Sequence, residues 1–141
     1  MKTINISLLI SIFIFITSCT EKQTKIELVN DEFIYNIGEI QTQASTLSGK
    51  EWLIQNVGDS DLKIHKIETS CDCLKIMCDT VNPIGPNEYF PLRVFISPEN
   101  TIGDFHREIF IYGNFEDSPL ELTIEGVFVE NSSEHEYKTA S

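Results

Sequence analysis

The sequence predicts an all-β chain folded as an antiparallel β-sandwich, and three observations predict it. From Lys25 onward apolar residues recur at every second position. Turn-forming residues interrupt them at intervals of about eight to twelve. After the apolar N-terminal stretch, no window carries a 3.6-residue apolar stripe of the kind an amphipathic helix needs. Half-buried sheets of this pattern require a second apolar face to cover them.

The elements follow in order. Phe33 and Tyr35 alternate before a break at Asn36-Ile37-Gly38. Trp52 and Ile54 alternate next, with Trp52 expected in the core, and Asn56–Asp61 reads as a polar hairpin connection leading to Leu62 and Ile64. Pro83–Glu88 is a turn, after which Leu92, Val94 and Ile96 share one face. Ile109 and Ile111 form another inward pair before the turn at Asn114–Pro119. Leu120, Leu122 and Ile124 then alternate with Glu121, Thr123 and Glu125, the cleanest one-face-buried strand of the chain. Residues 130–141 are polar and are expected to fray.

The N-terminus carries an address. Met1-Lys2-Thr3 precedes an apolar run from Ile4 to Ile16, which is shorter than the ~20 residues a spanning helix needs. The run ends in Thr17-Ser18-Cys19, small residues before a cysteine, which resembles the bacterial lipobox. That resemblance implies a signal peptide over 1–18, cleavage before Cys19 and a lipid anchor on Cys19, so that the partner at this end is a membrane. In the lipid-anchored tether over 19–25, the polar stretch Thr20–Lys25 spans at most ~20 Å and keeps the domain near its membrane. The expected location is the bacterial cell envelope, at the outer membrane.

Composition narrows the partners. Twenty-two acidic against ten basic residues give a net charge of −12, and loss of Lys2 with the signal makes the mature chain more negative still. Nucleic acid and anionic lipid heads are repelled by such a surface. The acidic residues are scattered and spell no calcium loop. No Gly-x-Ser-x-Gly elbow or phosphate-binding glycine loop occurs, so neither a cofactor nor catalysis is expected. His106 and His135 stand apart from any acid or nucleophile in the sequence.

The ordered set of short motifs resembles the bacterial family of domain of unknown function 1573. Its pieces here are Phe33-x-x-x-x-Gly38, Asn56-Val-Gly-Asp59 with Leu62, Thr69-Ser-Cys-x-Cys73, Pro86-Asn-Glu88, Gly103-Asp-Phe105, Tyr112-Gly-Asn114 and Leu122-Thr-Ile-Glu-Gly126. The resemblance implies an immunoglobulin-like sandwich of about seven to eight strands over residues 26–129, in a family frequent among lipoproteins of Bacteroidota. It implies no activity. Two glycines of the family pattern are replaced, by Asp72 and Asn87, residues that tolerate positive φ better than most. Cys78 lies outside the family pattern.

Three of the four cysteines fall within Cys71–Cys78. Outside the cytoplasm thiols tend to oxidise, and with Cys19 lipidated an odd number remains. All three pairings among Cys71, Cys73 and Cys78 stay open. Cys71–Cys73 demands a sharp bend, because Cα atoms two apart in an extended strand approach the ~7 Å bridging limit. Two further readings compete with a structural staple. A thiol–disulfide couple at Cys71 and Cys73 needs a nearby cation, where Asp72 opposes and Lys75 assists. Cys71, Cys73 and Cys78 with His65 make a candidate zinc or Cu(I) set. Asp79-Thr80-Val81 resembles an O-glycosylation acceptor, and Asn131-Ser-Ser133 matches the asparagine-glycan pattern. The leading expectation is an anchored, non-catalytic binding or structural module whose loops or open sheet edge contact another envelope protein or a glycan.

Overall fold

The computed structural model describes residues 24–42, 48–99 and 101–130. The expected signal segment over 1–18, Cys19 and the residues beyond Glu130 lie outside the described residues. Eight strands follow one another: β1 (Ile26–Leu28), β2 (Ile34–Gln41), β3 (Ser48–Asn56), β4 (Ile64–Thr69), β5 (Leu74–Met77), β6 (Tyr89–Ile96), β7 (Gly103–Gly113) and β8 (Leu120–Val129). They form two four-stranded sheets, in the orders β1-β3-β6-β5 and β2-β8-β7-β4. Among the described residues no helix is long and apolar enough to cross a membrane.

The period-two residues meet between the sheets. Ile54, Leu92, Val94 and Ile96 point inward from one sheet, and Ile109, Ile111, Leu122 and Ile124 from the other; all are essentially inaccessible. Burial of each such side chain is worth ~1.5–3 kcal/mol. Trp52 is buried as expected, donates its Nε1–H to the Glu32 carbonyl at 2.7 Å, and meets Tyr35 edge-on at 6.4 Å. Phe33 departs from the expected pattern: it precedes β2 and is 48% exposed. Its carbonyl accepts from Thr123 N–H at 2.8 Å, and the ring lines a shallow groove with Pro119 and Leu120.

Three connections differ from those the sequence suggests. The sandwich is mixed rather than purely antiparallel, because β2 runs parallel to β8. Nearly the whole domain separates the two strands, far more than the dozen residues a parallel pairing requires, and alternation reports a strand's face without its neighbour's direction. Asn56–Asp61 is not a hairpin connection, since β3 and β4 belong to opposite sheets. The break at Asn36–Gly38 is a β-bulge inside one continuous strand: register on β8 shifts between Asn36 and Glu39, where Gly38 has a φ of +78°.

The domain also begins earlier than composition suggests. Thr24, assigned above to the tether, is fully buried and bridges to Phe115. Its hydroxyl donates to Asn56 Oδ1 at 2.6 Å, so a polar residue packs here through its hydrogen bond.

Candidate functional site

Two features sit side by side on the edge where β4 and β5 lie. The first is the corner at which the chain crosses between sheets. β4 ends at Thr69 and β5 begins at Leu74, so Ser70–Cys73 must turn sharply. Thr69 Oγ1 donates to the Cys71 carbonyl at 3.0 Å, and Ser70 exchanges bonds with Glu108 through its N–H (3.0 Å) and its Oγ (2.9 Å). Ser97 N–H donates to the Cys73 carbonyl at 2.9 Å. The corner is thus tied to both β7 and the end of β6.

That turn draws the Cα atoms of Cys71 and Cys73 to 5.2 Å, and the two are disulfide-bonded. Of the three open pairings this is the one formed, and among the described residues Cys78 is left as a free thiol. The bend is made without positive φ at Asp72, whereas Asn87 does adopt the left-handed conformation, at +65°. Cys78 is half-buried; burial, and then the Asp79 carboxylate, push its thiol up, away from reactivity.

The cation beside the bridge is Arg107, not Lys75. Its Nε donates to Cys73 Sγ at 3.3 Å and its Nη2 to Glu99 Oε2 at 3.0 Å. Arg107 occupies an inward slot of β7, in line with Phe105, Ile109 and Ile111, and its side chain is only 24% exposed. A charge at an apolar position of a strand needs a partner there, and the disulfide edge and Glu99 supply it. The signal was present in the sequence as an arginine interrupting the run Phe105-x-Arg107-x-Ile109-x-Ile111.

The candidate metal set does not assemble as the spacing suggested. Ligand atoms of Cys71, Cys73 and Glu99 lie within 4.8 Å of one another, the group that forms among the described residues. His65 is exposed on β4 and neither it nor Cys78 joins that group. Bridged sulfurs lack the thiolate charge that zinc or Cu(I) requires, and Arg107 Nε already donates to one of them, Cys73 Sγ. His106 proves to have acidic neighbours, Glu108 at 3.7 Å and Glu125 at 4.0 Å, contrary to its isolation in sequence.

The second feature is a notch. β3 pairs with β6 along its whole length, Tyr89 to Ile96, but β5 pairs only with Arg93–Ile96. Tyr89–Leu92 therefore has a ladder partner on one side only, and Pro91 stands in that stretch as edge prolines do. A groove of about 250 Å³ opens where β5 stops, lined by Met77, Cys78, Asp79, Pro91 and Arg93. Met77 is 58% exposed, and Val81 in the following loop 87%. In the same loop, hydrogen bonds from the Asn82 amide and the Val81 N–H hold the Asp79 carboxyl below its usual range.

Comparisons with known proteins bear on this fold. The curated proteins yield no match. Among solved structures, a protein of unknown function from Porphyromonas gingivalis W83 superposes with a TM-score of 0.64 at 18% identity, over 81% of this chain and 51% of that one. This chain thus spans about half the length of that structure. A family 123 glycoside hydrolase from Clostridium perfringens gives 0.55 at 9% identity, over 70% of this chain and 23% of that one. The Vibrio cholerae VesB protease gives 0.50 at 9% identity, over 75% and 31%. At such identities these likenesses show the fold alone. The model of the family described as "Protein of unknown function (DUF1573)" matches residues 26–128, which is the sandwich almost from end to end, and the chain belongs to that family.

Proposed function

We propose that this protein is a lipid-anchored binding module of the bacterial envelope, which captures an extended segment of a partner protein along the open part of β6. The observation that carries this reading is the shortness of β5. A partner strand added beside Tyr89–Leu92 would extend the ladder that β5 leaves unfinished, except for the bond that Pro91, which has no N–H, is unable to donate. Met77 and Pro91 offer apolar contact in the notch. Arg93, whose guanidinium also engages Glu51, is the cation there in a strongly acidic chain. Edge strands are normally shielded, and Pro91 is one such device against unselective pairing; the half-exposed Met77 beside the unfinished pairing suits a recognition role.

The anchor complements the notch. Thr24 is locked into the sandwich, so the tether from Cys19 is five residues and spans at most ~17 Å. The sandwich would then act close to its membrane.

Photo-crosslinking in intact cells tests the binding role. A photoreactive residue replacing Met77 in the full-length chain is expected to give a discrete protein adduct. The same residue at Glu39, exposed on β2 in the other sheet, is expected to give none. Equal adduct patterns from both positions, or a polydisperse glycan adduct from Met77, would sink the peptide-capture reading.

A further inference from the structure

We infer that Cys71–Cys73 is a redox-active, thiol-oxidising disulfide, with Arg107 as the positioning residue that receives Cys73 as its leaving thiolate. This goes beyond the binding role and does not depend on the notch. Its substrate class is a vicinal or closely spaced dithiol on an exported protein.

Three observations carry it. The bridge lies at the surface of the corner, where both cysteines are only half-buried, so an incoming thiolate can reach it. Its two sulfurs are electrostatically unequal, because Arg107 Nε points at Cys73 Sγ at 3.3 Å. The guanidinium is held there by Glu99 at 3.0 Å through Nη2 and by the His106 carbonyl at 3.1 Å through Nη1, with the Glu99 carboxylate itself within 4.8 Å of both sulfurs. The Glu99 ion pair and the Phe105 ring, 5.9 Å from Arg107 Cζ, account for an arginine in this slot of β7, but they do not require its Nε to be aimed at one sulfur. A leaving thiolate does, since a charge-assisted hydrogen bond strengthens as negative charge develops on the acceptor.

The exchange balances without a further reagent. One thiolate of the substrate attacks Cys71 Sγ, forming a mixed disulfide and breaking the Cys71–Cys73 bond. The bonding pair departs on Cys73 Sγ, beside the Arg107 guanidinium. The second substrate thiol, deprotonated by solvent, attacks its partner's sulfur in the mixed disulfide and releases Cys71, which takes a proton. The substrate dithiol is oxidised to a disulfide by two electrons, and the bridge is reduced to two thiols. Stabilising the reduced form in this way makes the disulfide the more oxidising partner. Glu99 acts in the opposite sense, as a like charge near the nascent thiolate.

The test equilibrates full-length, detergent-extracted protein with glutathione buffers, then counts free thiols by alkylation and mass spectrometry. The wild-type bridge is expected to be reduced within the accessible range, with glutathione trapped on Cys71 after acid quench. Arg107→Gln should shift the equilibrium constant about tenfold toward the disulfide, or ~30 mV for a two-electron couple, with Arg107→Lys recovering part of the shift. Glu99→Gln should move it about threefold the other way. That opposition of sign is what a merely structural role would not produce, and Glu99→Gln decides the matter should Arg107→Gln misfold. A wild-type bridge that glutathione fails to reduce, glutathione trapped on Cys73, or a Glu99→Gln shift in the same direction as Arg107→Gln would each overturn the inference.

Discussion

Replacing Asn56 with leucine is expected to destabilise the sandwich by about 4 kcal/mol, the largest single effect foreseen outside the apolar core. Asn56 is fully buried at the end of β3. Its Oδ1 accepts from the Thr24 hydroxyl at 2.6 Å and from Gly58 N–H at 3.0 Å. Its Nδ2 donates to the Ser60 carbonyl at 2.8 Å and the Ile84 carbonyl at 2.9 Å. One side chain thus closes the crossing loop, pins the N-terminal segment and holds the Ile84 turn. Leucine has similar volume, so little of the loss comes from a cavity. It comes from buried partners left without a hydrogen bond, at ~1–3 kcal/mol each, reduced where the loop opens to water. Urea unfolding at a slope of ~1–3 kcal/mol/M should show a midpoint lowered by about 2 M. A midpoint within ~0.5 M of wild type would mean that the loop holds itself without this residue.

Gly126→Ala ranks second, at about 2–3 kcal/mol. A Cβ at Gly126 would sit 2.5 Å from the Gly38 carbonyl oxygen, 2.9 Å from Ile37 Cγ2 and 2.9 Å from Phe105 Cζ. The first contact is backbone in the β2 bulge, and the last is a ring already stacked on Phe128 at 4.5 Å, so nothing flexible gives way. Gly38→Ala provides the contrast. Nothing lies within 4 Å of its would-be Cβ, and only the left-handed φ of +78° opposes the change, worth ~1–2 kcal/mol. Thermal unfolding should therefore place Gly126→Ala below Gly38→Ala, and both below wild type. The reverse order would show that the bulge does not press on β8 as described.

What could be read in the sequence followed from period two. Leu92-x-Val94-x-Ile96 and Leu122-x-Ile124 announce strands and an inward face because alternate residues of a pleated strand must share a side. The family motifs extend this: Gly38 and Gly126, far apart in sequence, belong to one close approach between β2 and β8. The direction of that pairing was hidden, since alternation is the same for parallel and antiparallel neighbours. Asn56 read as a turn residue because asparagine favours turns, and its role as a buried hub depends on partners at Thr24 and Ile84 that only folding brings near. The cysteine corner was half legible. Cys71-x-Cys73 marked the place, but spacing left the pairing open, and the arginine that makes the two sulfurs unequal arrives from β7, 34 residues further along.

Lipid on Cys19 would hold the sandwich at the envelope membrane. The most direct measurement is the intact mass of the mature N-terminal peptide, from full-length protein extracted in detergent from its membranes. The mature chain is expected to begin at Cys19 and to carry acyl groups on that residue, with incorporation of labelled palmitate lost entirely in Cys19→Ala. An N-terminus at another residue, or an unmodified Cys19 thiol, would contradict it.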